Sequence, residues 1–234
     1  MIDIHNLTAG YGKLEILQDL SLSFGGEQFS AVLGPNGSGK STLMKAIMGI
    51  NTIFGGSVKL AKRELVGMPT EAISRLGIAY VPQRENIFDE LTVRENLQLG
   101  GRSLPRENRD NALAELFKLF PILGGRPGQR AGSLSGGEHQ MLAIAIAWLS
   151  RPRLMLLDEP SAGLAPAVAL EVFGVLKALG QQGITLIVVE QNARRILQYC
   201  DQAFVLREGR LAFQGTAAEC LRDEETIKGY LGVH

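Results

Sequence analysis

Residues 29–33 are a short apolar run that breaks at once into Gly34-Pro35-Asn36-Gly37-Ser38-Gly39-Lys40-Ser41-Thr42, after which a helical pattern covers residues 41–50. No other feature constrains the fold as strongly. A buried strand that turns through glycines into a helix is the opening of a parallel α/β layer. The residue types also state a chemistry. Glycines let backbone N–H groups turn inward where a side chain would collide. The helix start adds free N–H groups and the positive end of its dipole. Lys40 adds a full charge, and the Ser41 hydroxyl can ligate a hard cation. Such a loop grips the phosphates of a nucleotide, and Gly34-x-x-x-x-Gly39-Lys40-Ser41 fits the Walker A pattern.

The rest of the chain agrees with an α/β core. Apolar runs at residues 78–81, 154–157, 184–189 and 204–206 suit strands buried on both faces. Helical patterns at 167–179 and 193–199 alternate with them. Residues 2–24 alternate and turn at Gly10-Tyr11-Gly12, which predicts antiparallel strands flanking the core. From about 85 to 140 the pattern changes. Helices are expected at 92–99 and 108–120 with no strand between them, punctuated by Pro105, Pro121 and the Gly124–Gly128 stretch. The expected organisation is therefore one domain over 1–234. A core at 1–84 and 141–234 carries an antiparallel β-subdomain, and a helical subdomain is inserted at about 85–140.

Composition narrows the partners. The chain has 234 residues with 24 Lys+Arg against 24 Asp+Glu, so nothing marks it for nucleic acid or anionic lipid. Two cysteines, Cys200 and Cys220, make neither a disulfide framework nor a metal site. A reducing compartment and plain packing roles are expected. The start of the sequence has no export signal. The longest apolar run, residues 141–149, is about half of what a spanning helix needs.

A second chemical feature is the run 154–157, which ends in Asp158-Glu159. A strand buried on both faces ends in two carboxylates when its edge meets a cation or water. Asp158 is placed to hold Mg²⁺, and Glu159 to polarise an attacking water. A third is Leu134-Ser135-Gly136-Gly137-Glu138. Ser135 and Glu138 read as a capping box opening the apolar helix 140–149. The two glycines between them leave N–H groups bare and suggest a second anion site without a lysine. Two such sites, only one with the lysine, suggest a composite site completed by another subunit.

With these three motifs in this order, the chain resembles the ABC ATPases over essentially its whole length. The resemblance implies a P-loop NTPase core binding ATP and Mg²⁺. It implies that Tyr11 stacks on adenine. Gly34, Asn36, Gly37, Ser38, Gly39, Lys40, Ser41 and Thr42 surround the phosphates. Gln83 reaches Mg²⁺ and water together with Ser41 and Asp158, and senses the transporter. Ser135, Gly136 and Gly137 touch the γ-phosphate across a head-to-tail dimer. Glu159 is catalytic, and residues 161–165 follow it. Where the family usually has a switch histidine this chain has Gln191, whose amide can donate to phosphate but cannot relay a proton. The segment Gly163-Leu164-Ala165-Pro166 lacks the common aspartate.

Together, Val189-Glu190-Gln191-Asn192 and that segment resemble the branched-chain amino-acid uptake ATPases. Phe120-Pro121, Gln129-Arg130-Ala131-Gly132 and Tyr230-Leu231-Gly232 fit the same group. Urea or amide uptake ATPases are similar, and so are the lipopolysaccharide-export ATPases, which keep the histidine. The resemblance implies a second ABC ATPase subunit (itself or a paralogue), two membrane permeases, an extracytoplasmic substrate-binding protein acting indirectly, and no nucleic acid. It places the chain peripherally on the cytoplasmic face of the bacterial inner membrane, with residues 86–88 as a docking surface. Ile146 stands near where the family often has an arginine, and Trp148 is equally unexpected; packing is the expected role of both. A soluble ABC ATPase acting on nucleic acid or ribosomes normally carries two cassettes or basic insertions, and this chain has neither. A P-loop kinase or GTPase leaves the Leu134–Glu138 motif without a purpose.

Overall fold

The computed structural model describes residues 2–26, 28–84 and 86–222, so Tyr230-Leu231-Gly232 lies outside the described residues. Two sheets organise the chain. A four-stranded antiparallel sheet is ordered β2-β1-β4-β5, from β1 (Ile2–Tyr11), β2 (Leu14–Phe24), β4 (Thr52–Leu60) and β5 (Arg63–Glu64). A six-stranded sheet is ordered β10-β9-β3-β8-β7-β6. Its strands are β3 (Phe29–Leu33), β6 (Ile78–Val81), β7 (Leu154–Asp158), β8 (Thr185–Glu190), β9 (Gln202–Arg207) and β10 (Arg210–Thr216). All its neighbours pair parallel except the β9–β10 hairpin. The helices are α1 (Lys40–Ile47), α2 (Thr70–Ser74), α3 (Val93–Gly100), α4 (Arg109–Leu119), α5 (Pro121–Gly124), α6 (Gly136–Leu149), α7 (Pro166–Gln181), α8 (Ala193–Ile196) and α9 (Ala217–Arg222).

The near-continuous apolar runs follow from burial on both faces of the parallel sheet. Ala31, Leu33, Met155, Leu157, Leu186 and Val188 face a core shared with α3, α4, α6 and α7. Their neighbours Val32, Leu154, Leu156, Ile187 and Val189 face a second core, built with α1 and the antiparallel sheet. Phe24 from that sheet meets Phe204 of the other at 4.7 Å between ring centroids. Between residues 86 and 135 the described residues form no strand, only an isolated bridge between Thr92 and Arg130. None of the described helices is long and apolar enough to cross a membrane.

Boundaries differ from the sequence reading in physically instructive ways. The helix expected over 41–50 ends at Ile47, because Gly49 takes a left-handed φ of 65° and closes the turn. The helix expected from residue 140 starts at Gly136, since Ser135 caps it directly. The helix expected over 193–199 is regular only to Ile196 and continues as turns.

Ile146 and Trp148 are packing residues. A Cβ on Gly100 would sit 2.8 Å from the Ile146 carbonyl oxygen, so α3 crosses α6 in close backbone contact there. Trp148 is buried, and the Arg151 guanidinium lies 4.2 Å from its ring centroid while pairing with Glu115.

Candidate active site

Four parallel strands end at one rim of the sheet, and each hands over to a candidate residue. β3 leads to Gly34, β6 to Gln83, β7 to Glu159 and β8 to Gln191. Ligands of open α/β sheets bind at this carboxyl edge. Register places Leu33 beside Glu190 and Asp158 beside Val189, so the groups converge without long loops.

The loop after β3 needs its glycines. A Cβ on Gly34 would lie 2.3 Å from the Leu206 carbonyl oxygen, and one on Gly39 2.6 Å from a Leu17 methyl. Gly39 is the N-cap of α1 at φ 101° and supplies no capping side chain, so the first N–H groups of α1 remain available to an anion. The Ser38 carbonyl accepts from the Gly209 N–H at 3.1 Å, and the Gly209 carbonyl accepts from the Gln18 N–H at 3.0 Å. The β9–β10 turn thus anchors the loop from below. Lys40 is buried and donates to the carbonyls of Gly34 (2.8 Å) and Pro35 (3.0 Å). Desolvation holds its ammonium pKa below the usual lysine value, against the pull of Glu159, Asp158 and Glu190.

The carboxylates divide by environment. Asp158 is buried, accepts from the Ser41 hydroxyl at 2.9 Å and from the Tyr80 hydroxyl at 3.3 Å, and has its pKa raised by desolvation. Burial and the neighbouring Asp158 likewise push the Tyr80 hydroxyl pKa up. Glu159 is partly open. Its backbone is left-handed at φ 48°, a strained conformation for a side chain of this size. The strain is held by its N–H, which donates to the Val189 carbonyl at 2.9 Å. Its carboxylate accepts from Gln83 Nε2 at 2.9 Å and stands 4.0 Å from Lys40 Nζ. Gln191 Nε2 donates to Asn36 Oδ1.

A cavity of about 610 Å³ gathers these groups. Tyr11, Asn36, Gly37, Gly39, Lys40, Ser41, Thr42, Gln83, Glu159 and Gln191 line it. Asp158 lies behind Ser41, while Gly34 and Ser38 form the loop's underside. The Tyr11 ring is 43% exposed and carries Lys45 Nζ at 5.4 Å from its centroid. A half-open aromatic at the mouth, a cation and bare N–H groups at the floor, and a carboxylate opposite together suit a nucleotide with its phosphates inward.

Ser135, Gly136 and Gly137 do not line this cavity. Ser135 and Gly137 border a separate, mainly apolar cavity of about 420 Å³ between the end of α4, α5, α6 and α7. The capping box is formed: the Ser135 N–H donates to Glu138 Oε2 at 2.8 Å, and the Glu138 N–H donates to the Ser135 hydroxyl at 3.4 Å. Hydrogen bonds from Ser135 lower the Glu138 pKa, and Arg126 pairs with that carboxylate at 2.8 Å. The two glycines separate in role. Gly136 is exposed, whereas Gly137 is buried, and a Cβ there would fall 2.2 Å from a Val168 methyl of α7. Helix packing, not anion access alone, requires Gly137.

Sequence reasoning missed Tyr80, Gly209 and Glu190. Gly209 carried a plain signal, a Glu208-Gly209 pair between two β patterns. Glu190 is a buried carboxylate at the end of an apolar strand, the same signal that singled out Asp158.

Comparison with known proteins gives the family. The ABC transporter family model matches residues 17–162. The chain is 40% identical over 232 residues to the high-affinity branched-chain amino acid transport ATP-binding protein BraG of Pseudomonas aeruginosa, covering 99% of this chain and 100% of that protein. It is 41% identical to the probable branched-chain amino acid transport ATP-binding protein LivF of Archaeoglobus fulgidus, covering 100% and 99%. To the lipopolysaccharide export system ATP-binding protein LptB of Escherichia coli it is 33% identical, covering 97% and 95%. Among solved structures, a nucleotide-free ATP-binding cassette from an ABC transporter superposes with TM-score 0.88 at 25% identity, covering 100% of this chain and 99% of the other. Another cassette, in its ADP conformation, gives 0.84 at 27% identity, covering 97% of each. The chain belongs to the ABC transporter family and is one of its ATP-binding, ATP-hydrolysing cassettes.

Proposed function

We propose that this cassette energises an ABC importer of branched-chain or other hydrophobic amino acids. The observation that carries the reading is the convergence of Lys40, Asp158, Glu159, Gln83 and Gln191 on one rim, in a chain similar over nearly its whole length to BraG and LivF. Lys40 and the bare N–H groups of α1 hold the β- and γ-phosphates. Tyr11 stacks on the adenine. Glu159 orients and deprotonates water, and Gln83 and Lys40 fix its carboxylate. Gln191 reads the γ-phosphate by donation from its amide.

Mg²⁺ fits this site. The Ser41 hydroxyl and the Asp158 carboxylate already share a hydrogen bond at 2.9 Å, and Gln83 supplies an amide oxygen. The ion would neutralise charge building on the phosphate oxygens.

Ser135 and Gly136 stand outside the nucleotide cavity, so they serve a nucleotide held by a second cassette, a copy of this chain or a paralogue, in a head-to-tail dimer. Two permeases in the bacterial inner membrane receive the motion through the Gln83 loop, residues 86–88 and the helical region at about 85–140. An extracytoplasmic binding protein delivers the solute. An export role like that of LptB is the second reading, at 33% identity.

Deleting the chain from its host should abolish radiolabelled leucine uptake, and wild type should restore it. Glu159→Gln should not, with ATP turnover down by on the order of 100-fold or more while an ATP-bound dimer accumulates. Unchanged leucine uptake after deletion contradicts the proposal.

A further inference from the structure

Glu190 is 2% exposed and takes no part in the chemistry outlined above. A carboxylate that deeply buried is retained only where donors satisfy it. Donors from two residues, Ser161 and Gln191, converge on it. The Ser161 N–H, in the loop after Glu159, donates to Oε1 at 2.8 Å. The Gln191 N–H donates to Oε2 at 3.2 Å. The preceding residue adds a second staple, since the Val189 carbonyl accepts the Glu159 N–H at 2.9 Å. The last residues of β8 therefore hold both ends of the 159–161 turn. The Glu190 carboxylate ties that turn to the Gln191 N–H as well, and the Gln191 amide reaches Asn36 in the phosphate loop.

We infer that Glu190 is a positioning residue for ATP hydrolysis: its two carboxylate oxygens lock the Glu159–Ser161 turn and Gln191 to each other. The inference rests on the roles given above to Glu159 and Gln191. A carboxylate is suited to the place because it only accepts, and both incoming groups only donate. A glutamine there keeps size and shape but offers one accepting oxygen, and turns an NH₂ toward one of the two N–H groups. One strap is then lost and the 159–191 geometry loosens. Nucleotide binding does not change, because Lys40, Tyr11 and the α1 N-terminus are untouched.

The test is a double-mutant cycle on the purified full-length chain, measuring ATP affinity and steady-state hydrolysis for wild type, Glu190→Gln, Gln191→Ala and the double variant. In the wild-type background Glu190→Gln should keep the ATP Kd within about threefold and lower kcat by roughly 10- to 100-fold. In the Gln191→Ala background the fold-loss should be smaller, because one of the two groups that Glu190 positions is gone while the Glu159 turn remains. Three outcomes overturn the inference: kcat within about twofold of wild type, an equal fold-loss in both backgrounds, or Kd weakened by the same factor as kcat is lost. If Glu190→Gln melts below the assay temperature, Glu190→Asp, whose stem is one methylene too short to reach both N–H groups, takes its place under the same criteria. If Glu159→Gln hydrolyses ATP normally, the underlying assignment of the site fails instead, and that result is read independently of Glu190.

Discussion

Gly137→Ala separates a packing glycine from a phosphate-binding one. The added Cβ would lie 2.2 Å from Val168 Cγ1, where ordinary contact begins at 3.4 Å, so α6 and α7 must part by about 1.2 Å or Val168 must leave its rotamer. Neither is easy. Four residues onward α6 inserts Met141, Leu142 and Ala143 into the core, and α7 is held there by Ala169, Val172 and Phe173. Overpacking of this kind costs about 1–3 kcal/mol. The better helix propensity of alanine returns at most about 1 kcal/mol, less in a first turn. A net loss of about 1–2 kcal/mol is expected, seen as a lower urea midpoint at unchanged slope. Val168→Ala removes the clashing methyl, so in that background Gly137→Ala should be close to neutral. A Gly137→Ala variant within about 0.5 kcal/mol of wild type, or no rescue by Val168→Ala, would falsify the packing account and return the glycine to anion binding alone.

Two further outcomes follow from the geometry. Tyr11→Ala should weaken ATP binding by roughly 5- to 150-fold, the worth of about 1–3 kcal/mol of base stacking, with kcat at saturation nearly unchanged; equilibrium titration with a fluorescent ATP analogue reads it, and an unchanged Kd removes Tyr11 from the base site. Gly209→Ala sets a Cβ 1.9 Å from the Ile16 carbonyl oxygen at a φ of 77°, so the turn that supports Ser38 must move. It should lower stability by more than about 1 kcal/mol and ATP affinity with it, measured by thermal melts with and without ATP; a destabilised variant with wild-type affinity would show that the β9–β10 turn does not support the loop.

Much of this was legible because chemistry was concentrated in contiguous runs. The Gly34–Thr42 loop, the strand ending in Asp158-Glu159 and the Ser135–Glu138 cap each carry their signal locally. The parallel strands were legible because burial on both faces leaves unbroken apolar runs. β4 was not, since Gly55-Gly56 interrupts it and only one of its nine residues is buried. Gly56 sits at φ 90° with no room for a Cβ beside the Asn6 carbonyl, within a break in the β1–β4 register that periodicity cannot show. The supports Tyr80, Gly209 and Glu190 stayed hidden for a related reason. Their partners are 78, 171 and 29 residues away respectively, and only the fold makes them neighbours.

The central proposal is that one chain holds half a site, with Lys40 and Glu159 in one cavity and Ser135 and Gly136 serving the nucleotide of a second cassette. Mixing Lys40→Ala chains with Ser135→Arg chains measures it most directly. Each variant alone should be inactive in ATP hydrolysis. An equimolar mixture should recover about one quarter of the wild-type rate, because half of randomly paired dimers are mixed and each of those has one intact site of two. Where the wild-type chain hydrolyses ATP by itself, hydrolysis by Ser135→Arg alone, or no recovery on mixing, would contradict the account.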